Sequence, residues 1–189
     1  MSAPETTDIY SRRSKTWRMS MTAVMTAVIC VLAPIAIPVG PVPISFTNLA
    51  IFLSLYLLGW KMGTVSYGVY LFIGMVGMPV FSGFAGGFGK LFGPTGGYII
   101  GFLPMAILSG WVIDHCKHRF LHALAMAGGT AVCYAFGTIW FCLVMDTRIA
   151  AALSMCVVGF IPGDVAKIAA AVAIGPILRR RLLQNRILE

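Results

Sequence analysis

The chain has 189 residues, 59% of them apolar and only 11% charged, with a mean hydropathy of +0.89 and a formal net charge of +8. Soluble domains carry about 25% charged residues, so this composition excludes an ordinary water-soluble globular protein. Several apolar runs approach the ~20 residues that a helix needs to cross a ~30 Å hydrocarbon core, and none alternates as a barrel strand does, so the expected fold is an all-α, polytopic membrane bundle.

Six apolar stretches follow one another along the chain, at residues 17–38, 44–59, 62–78, 94–113, 120–145 and 149–178. The first follows Arg12, Arg13, Lys15 and Arg18, as a signal peptide would, but its length and its lack of a small-residue cleavage site mark a retained first helix. The second and third are short and bounded by Gly and Pro, so five spans with a re-entrant segment is the alternative to six. Assigning alternate loops to opposite sides places 11 of the 14 Lys and Arg residues on one side, among them Lys61, Lys117, Arg119, Arg179, Arg180, Arg181 and Arg186. The other side receives Lys90 and Arg148. The positive-inside rule then makes both termini cytoplasmic, and only an even count keeps the basic C-terminal cluster on that side. Trp17, Trp60 and Trp111 fall near the same ends, where indoles prefer to sit. One integral membrane domain is expected: a cytoplasmic tail over 1–16, a six-helix bundle over 17–178 and a basic cytoplasmic tail over 179–189. The positive charge is a topology signal and an attraction to anionic lipid headgroups, and gives no reason to invoke nucleic acid.

Within the apolar stretches one feature stands out. In "GFIPGDVAKIAAAV", residues 159–172, Asp164 and Lys167 are the only acidic and basic residues set inside an apolar segment. An ionisable residue at membrane depth costs about 2.5 to 3.5 kcal/mol and is by default a functional hypothesis. At i and i+3 the two share a helix face, so they either neutralise each other as a structural pair or jointly grip a ligand. Pro162-Gly163 predicts that the sixth helix breaks or begins anew here, exposing N–H groups and a positive dipole end that favour an anionic group.

Two other segments are candidates. "FSGFAGGFGKLFGPTGGYIIGF", residues 81–102, offers bare backbone with Tyr98, Phe88 and Phe92 as apolar walls, or else a flexible loop followed by a helix whose glycines permit close packing. It is not a nucleotide loop, because Gly89-Lys90 has Phe84 where the first Gly of a Walker A motif belongs and Leu91 where Ser or Thr belongs. In "GPVPISFTNLAIF", Ser45, Thr47 and Asn48 either cap a helix after Pro43 or bond a ligand. Cys30, Cys116, Cys133, Cys142 and Cys156 lack C-x-x-C spacing, so neither disulfide nor metal is expected from them. His115, His118 and His122 with Asp114 and Cys116 have the look of metal ligands, but polar residues are ordinary at a helix end, and no metal is expected. No nucleophile set is seen and Asp164 has no second carboxylate or His beside it, so no catalytic residue and no cofactor is expected.

Together these segments resemble the BioY family, the biotin-specific S components of energy-coupling factor (ECF) transporters, over about residues 20 to 180. The residues that carry the resemblance are "GPVPIS" at 40–45, "GMPVFSGFAGGFGKLFGPTGGYIIGF" at 77–102 and "FIPGDVAKI" at 160–168. The resemblance implies a six-helix substrate-capture subunit for biotin uptake in the bacterial cytoplasmic membrane. It implies as partners a transmembrane coupling subunit and two ATPase subunits, in keeping with the missing nucleotide motif. Its implied substrate-binding set is Asp164, Lys167, Tyr98, Thr95, Gly97, Asn48 and Phe88. The family's usual Thr-Leu-Gln run after Val-Pro is replaced here by Ser45-Phe46-Thr47, so no ligand role is carried over to Thr47. An A-x-x-x-A face on the first helix, matched by Ala23 and Ala27 of "AVMTA", is implied as the coupling-subunit interface. Biotin's ureido N–H donors, apolar thioether ring and carboxylate suit a pocket with few polar groups and much apolar wall. The same fold serving another small vitamin, or a stand-alone transporter, is the alternative.

Overall fold

The computed structural model describes residues 15–38 and 42–184. Among the described residues seven α-helices follow in chain order: α1 (Lys15–Leu32), α2 (Thr47–Met75), α3 (Phe88–Phe92), α4 (Gly96–His115), α5 (Arg119–Met145), α6 (Ile149–Leu153) and α7 (Ile161–Gln184). A two-residue antiparallel ladder, β1 (Ala36–Ile37) with β2 (Ile44–Ser45), joins α1 to α2. Among the described residues four helices, α2, α4, α5 and most of α7, meet the length and apolarity of a membrane span, α2 only by the summed length of its two limbs. The chain is thus a mostly helical, multi-pass membrane protein.

The helix α1 buries one face, Thr22, Met25, Thr26 and Ile29, against α2. Its polar atoms are satisfied there, with the Thr26 and Ser66 hydroxyls 3.0 Å apart and the Ser66 hydroxyl donating to the Thr22 carbonyl at 3.3 Å. Ala23 and Ala27 lie on the opposite, exposed face.

Gly59 interrupts α2 with φ 78° and ψ 172°, a conformation that costs glycine little. The chain reverses at this point. A Cβ placed on Gly63 would lie 3.2 Å from the Leu55 backbone nitrogen, whereas eight residues of continuous helix would separate the two by about 12 Å. The stretches 44–59 and 62–78 are therefore two limbs, residues 47–58 and 60–75, and at 1.5 Å per residue they reach about 18 and 24 Å, each short of the hydrocarbon thickness.

The segment between α2 and α4 is not a loose loop. Phe81 and Ala85 form an antiparallel bridge, the Gly87 N–H donates to the Gly74 carbonyl at 2.7 Å, and the Gly83 N–H reaches the Pro34 carbonyl at 3.1 Å. Next, α4 and α5 make the most extensive helix pair in the fold, and glycine is what lets their backbones approach. A Cβ on Gly97 would collide with the Trp140 side chain, and one on Gly137 would enter the Tyr98 ring. The last apolar stretch is divided, as Pro162-Gly163 predicts: α6 leads into a π-helical turn, Ser154–Val158, and α7 starts at Ile161. It runs on through Arg179, Arg180 and Arg181 to Gln184.

A second, nearly buried ion pair ties the end of the bundle opposite Asp164. Asp114 is nearly buried; it accepts the Trp60 N–H at 2.8 Å and lies 3.4 Å from the Arg179 guanidinium. At the end of α4, as its sequence position implies, it caps the second limb of α2 at the reversal and links it to α4 and α7.

Candidate ligand-binding site

The positions of Asp164 and Lys167 follow from the start of α7. Asp164 falls in its first turn, where a negative side chain is favoured by the helix dipole, and its N–H bonds the Phe160 carbonyl at 2.9 Å. The place foreseen for an anionic ligand group is thus held by the protein's own carboxylate. Asp164 is 8% exposed, and three elements supply its donors. Its Oδ1 accepts from Asn48 Nδ2 at 2.8 Å and from Lys167 Nζ at 3.0 Å, and its Oδ2 accepts from the Tyr134 hydroxyl. Lys167 also donates to the Ser45 carbonyl at 2.7 Å and lies over the Phe46 ring. A buried pair held by this many further hydrogen bonds avoids the cost of an uncompensated charge. An ammonium has three donors and a carboxylate about four lone-pair positions, so one donor and one acceptor remain beyond the bonds within the protein.

This cluster borders a cavity whose other walls are largely aromatic and aliphatic. Tyr67, Tyr70, Tyr98, Phe102 and Phe160 line it together with Ile44 and Ile99. Tyr67 is locked in place by donating to the Ile99 carbonyl at 2.8 Å, and Tyr98 lies 3.3 Å from the Thr138 hydroxyl. Thr95 lines the same cavity, is 6% exposed, and its hydroxyl has no hydrogen-bond partner among the described residues. An unsatisfied buried hydroxyl costs about 1–3 kcal/mol unless something bonds it. The arrangement offers a small molecule one concentrated polar end and a broad apolar wall, which is the general form of a small-ligand pocket.

Of the residues expected at the site, Asp164, Lys167, Asn48, Tyr98 and Thr95 come together on this cavity. Gly97 does not line it and instead packs against α5; Phe88 lies 61% exposed, stacked on Phe92. Ser45 and Thr47 do not cap α2, since their hydroxyls bond each other at 2.8 Å and Phe46 occupies the cap position without a side-chain bond. Tyr134, Tyr67 and Tyr70 are functional candidates the sequence reading missed. Nothing local distinguishes Tyr134 from the other aromatics of α5, since its partner lies 30 residues away. The histidines have other uses: His122 bonds the Tyr56 hydroxyl at 3.1 Å and the Cys116 carbonyl at 2.8 Å, and His115 bonds the Trp111 carbonyl at 2.7 Å.

Comparison with known proteins points the same way. A family model described as "BioY family" matches residues 6–184. The "Biotin transporter BioY" of Thermotoga maritima is 38% identical over 159 residues, covering 83% of this chain and 92% of that protein. The "Probable biotin transporter BioY" of Pyrococcus horikoshii is 36% identical over 160 residues, covering 85% and 94%. Among solved structures, the "S-component for biotin from an ECF-type ABC transporter" superposes with a TM-score of 0.81 at 33% identity, covering 88% of this chain and 92% of that one. With a match over almost the whole described chain and the same fold in a solved relative, this chain belongs to the BioY family.

Proposed function

We propose that the chain is the biotin-binding, substrate-capture membrane subunit of a biotin uptake system, energised by a separate coupling subunit and a pair of ATPases. The observation that carries this reading is the hydrogen-bonded Asp164 carboxylate, with Asn48, Tyr134 and Lys167 around it, on an aromatic cavity that also holds the unpartnered Thr95 hydroxyl. The remaining acceptor position of Asp164 takes a ureido N–H of biotin, Lys167 gives its third donor to a ligand oxygen, and the tyrosines and Phe160 cover the thioether ring and tail. No group in this reading carries out chemistry on the ligand.

The chain spans the cytoplasmic membrane of a bacterium six times, with each limb of α2 counted as a crossing and both termini cytoplasmic. The supports are the one-sided distribution of the basic residues among the loops and the reversal at Gly59. The exposed face of α1 that carries Ala23 and Ala27 receives the coupling subunit.

Equilibrium binding of labelled biotin to detergent-purified protein tests the reading. Lys167→Ala and Asp164→Asn are each expected to weaken binding at least tenfold, about 1.4 kcal/mol. Unchanged affinity in both variants would overturn the site, and no biotin binding by folded wild-type protein would overturn the substrate and turn the question to other vitamins.

A further inference from the structure

A second concavity lies on the outer surface of the bundle, between the first part of α5 and the middle of α7. It encloses about 660 Å³. It is lined by Ala123 and Ala127 from α5 and by Ile168, Ala169, Val172 and Ala173 from α7, and by Phe120, Leu124 and Val165, which are 77%, 59% and 62% exposed. Of the ten residues that line it, Arg119 at one end is the only polar one. This side of the molecule is little covered by protein: 33% of the apolar window of α5 and 22% of that of α7 are buried, against 56% for both α2 and α4. In a membrane protein such a face meets lipid.

Charge decides which lipid. Arg119 is exposed and belongs to neither ion pair seen among the described residues. Lys117 precedes it, and the nearby carboxylate of Asp114 is engaged by Arg179. An unpaired guanidinium at the polar end of an apolar trough matches a phosphate-bearing headgroup above a hydrocarbon chain.

We propose that the α5–α7 trough is a binding site for an anionic phospholipid, its headgroup on Arg119 and an acyl chain along the apolar lining. The site is separate from the Asp164 cavity, and it holds whatever ligand that cavity takes. Delipidated protein in detergent, titrated with phosphatidylglycerol or phosphatidylcholine of matched chains and read by native mass spectrometry, tests it. Phosphatidylglycerol is expected to bind about fivefold tighter than phosphatidylcholine, the preference that one basic residue near a membrane surface supplies. Arg119→Gln should bring the ratio near one, whereas Arg180→Gln, which removes an exposed charge outside the trough, should leave it unchanged. Ala127→Phe, which fills the trough, should weaken both lipids while circular dichroism and gel filtration remain those of folded protein. Equal affinities in the wild type, a preference lowered equally by Arg180→Gln, or full lipid binding by Ala127→Phe would each overturn the proposal. A protein dimer abolished by Ala127→Phe would overturn it too, by assigning the trough to a second copy.

Discussion

Asp164 is stable at membrane depth because donors from three helices meet it, and each donor should register separately. Tyr134→Phe removes the hydroxyl on Oδ2 and leaves that oxygen short of a donor. The expected result is a loss of about tenfold in biotin affinity with the bundle intact, measured by equilibrium binding alongside thermal unfolding in detergent. Gly137 makes a less direct prediction. A Cβ there would lie 2.2 Å from the Tyr98 ring, which walls the cavity from the other side. Gly137→Ala should therefore lower stability by about 1–3 kcal/mol and weaken ligand binding as well, through displacement of Tyr98. Gly97→Ala meets the Trp140 side chain and the Phe136 carbonyl instead, so its first effect should be on melting temperature. At this scale Asp164 and Lys167 were legible because their spacing lies within one helix and their charge contradicts their surroundings. Asn48 could be suspected from its polar neighbours, but Tyr134 could not, since phenols in apolar helices are common.

Among the elements, the reversal of α2 is held by a network that joins three helices. Asp114 at the end of α4 accepts the Trp60 N–H that opens the second limb and meets Arg179 on α7. Asp114→Ala should cost about 1–3 kcal/mol, because it leaves the Trp60 backbone donor without its acceptor in a nearly buried place and removes the ion pair with Arg179. Gly59→Ala should also destabilise, by 1 kcal/mol or more, since it forces a side chain into positive φ and within 2.9 Å of the Asp114 carboxylate. Scanning fluorimetry of the two variants and their double mutant checks both, and less than the sum of the single losses is expected, because the two residues touch. The exposed face of α1 behaves differently. Ala23→Leu with Ala27→Leu should leave biotin binding unchanged and abolish co-purification with the coupling subunit, because the bulk is added where only a partner would pack.

For the whole molecule the prediction is one of sidedness. Single cysteines placed in the N- and C-terminal tails of a cysteine-free variant should react with a membrane-impermeant maleimide in inverted vesicles and not in right-side-out ones. Labelling of either tail from outside would reverse the six-span arrangement. The polar cluster at Asp164 and the tie at Asp114 stand at opposite ends of α7, with α2 folded between them. One short helical hairpin is thereby anchored at both ends to the same neighbour.

The amino-acid sequence by itself determined that this is a helical membrane protein, where its apolar stretches lie, that the last of them is broken near Pro162-Gly163, and that Asp164 and Lys167 form its embedded pair. These properties depend on composition and on spacings within one turn of helix, which the chain carries locally. Only the tertiary structure decided that Asn48 and Tyr134 complete the Asp164 site, that Gly97 serves packing on α5, that the glycine-rich segment is tied down, and that Asp114 is a second buried anchor. Each of those depends on which helices become neighbours. That choice is made by surface complementarity summed over whole helix faces, where a few glycines allow close approach and one positive-φ residue turns the chain back, and no short window of sequence contains it.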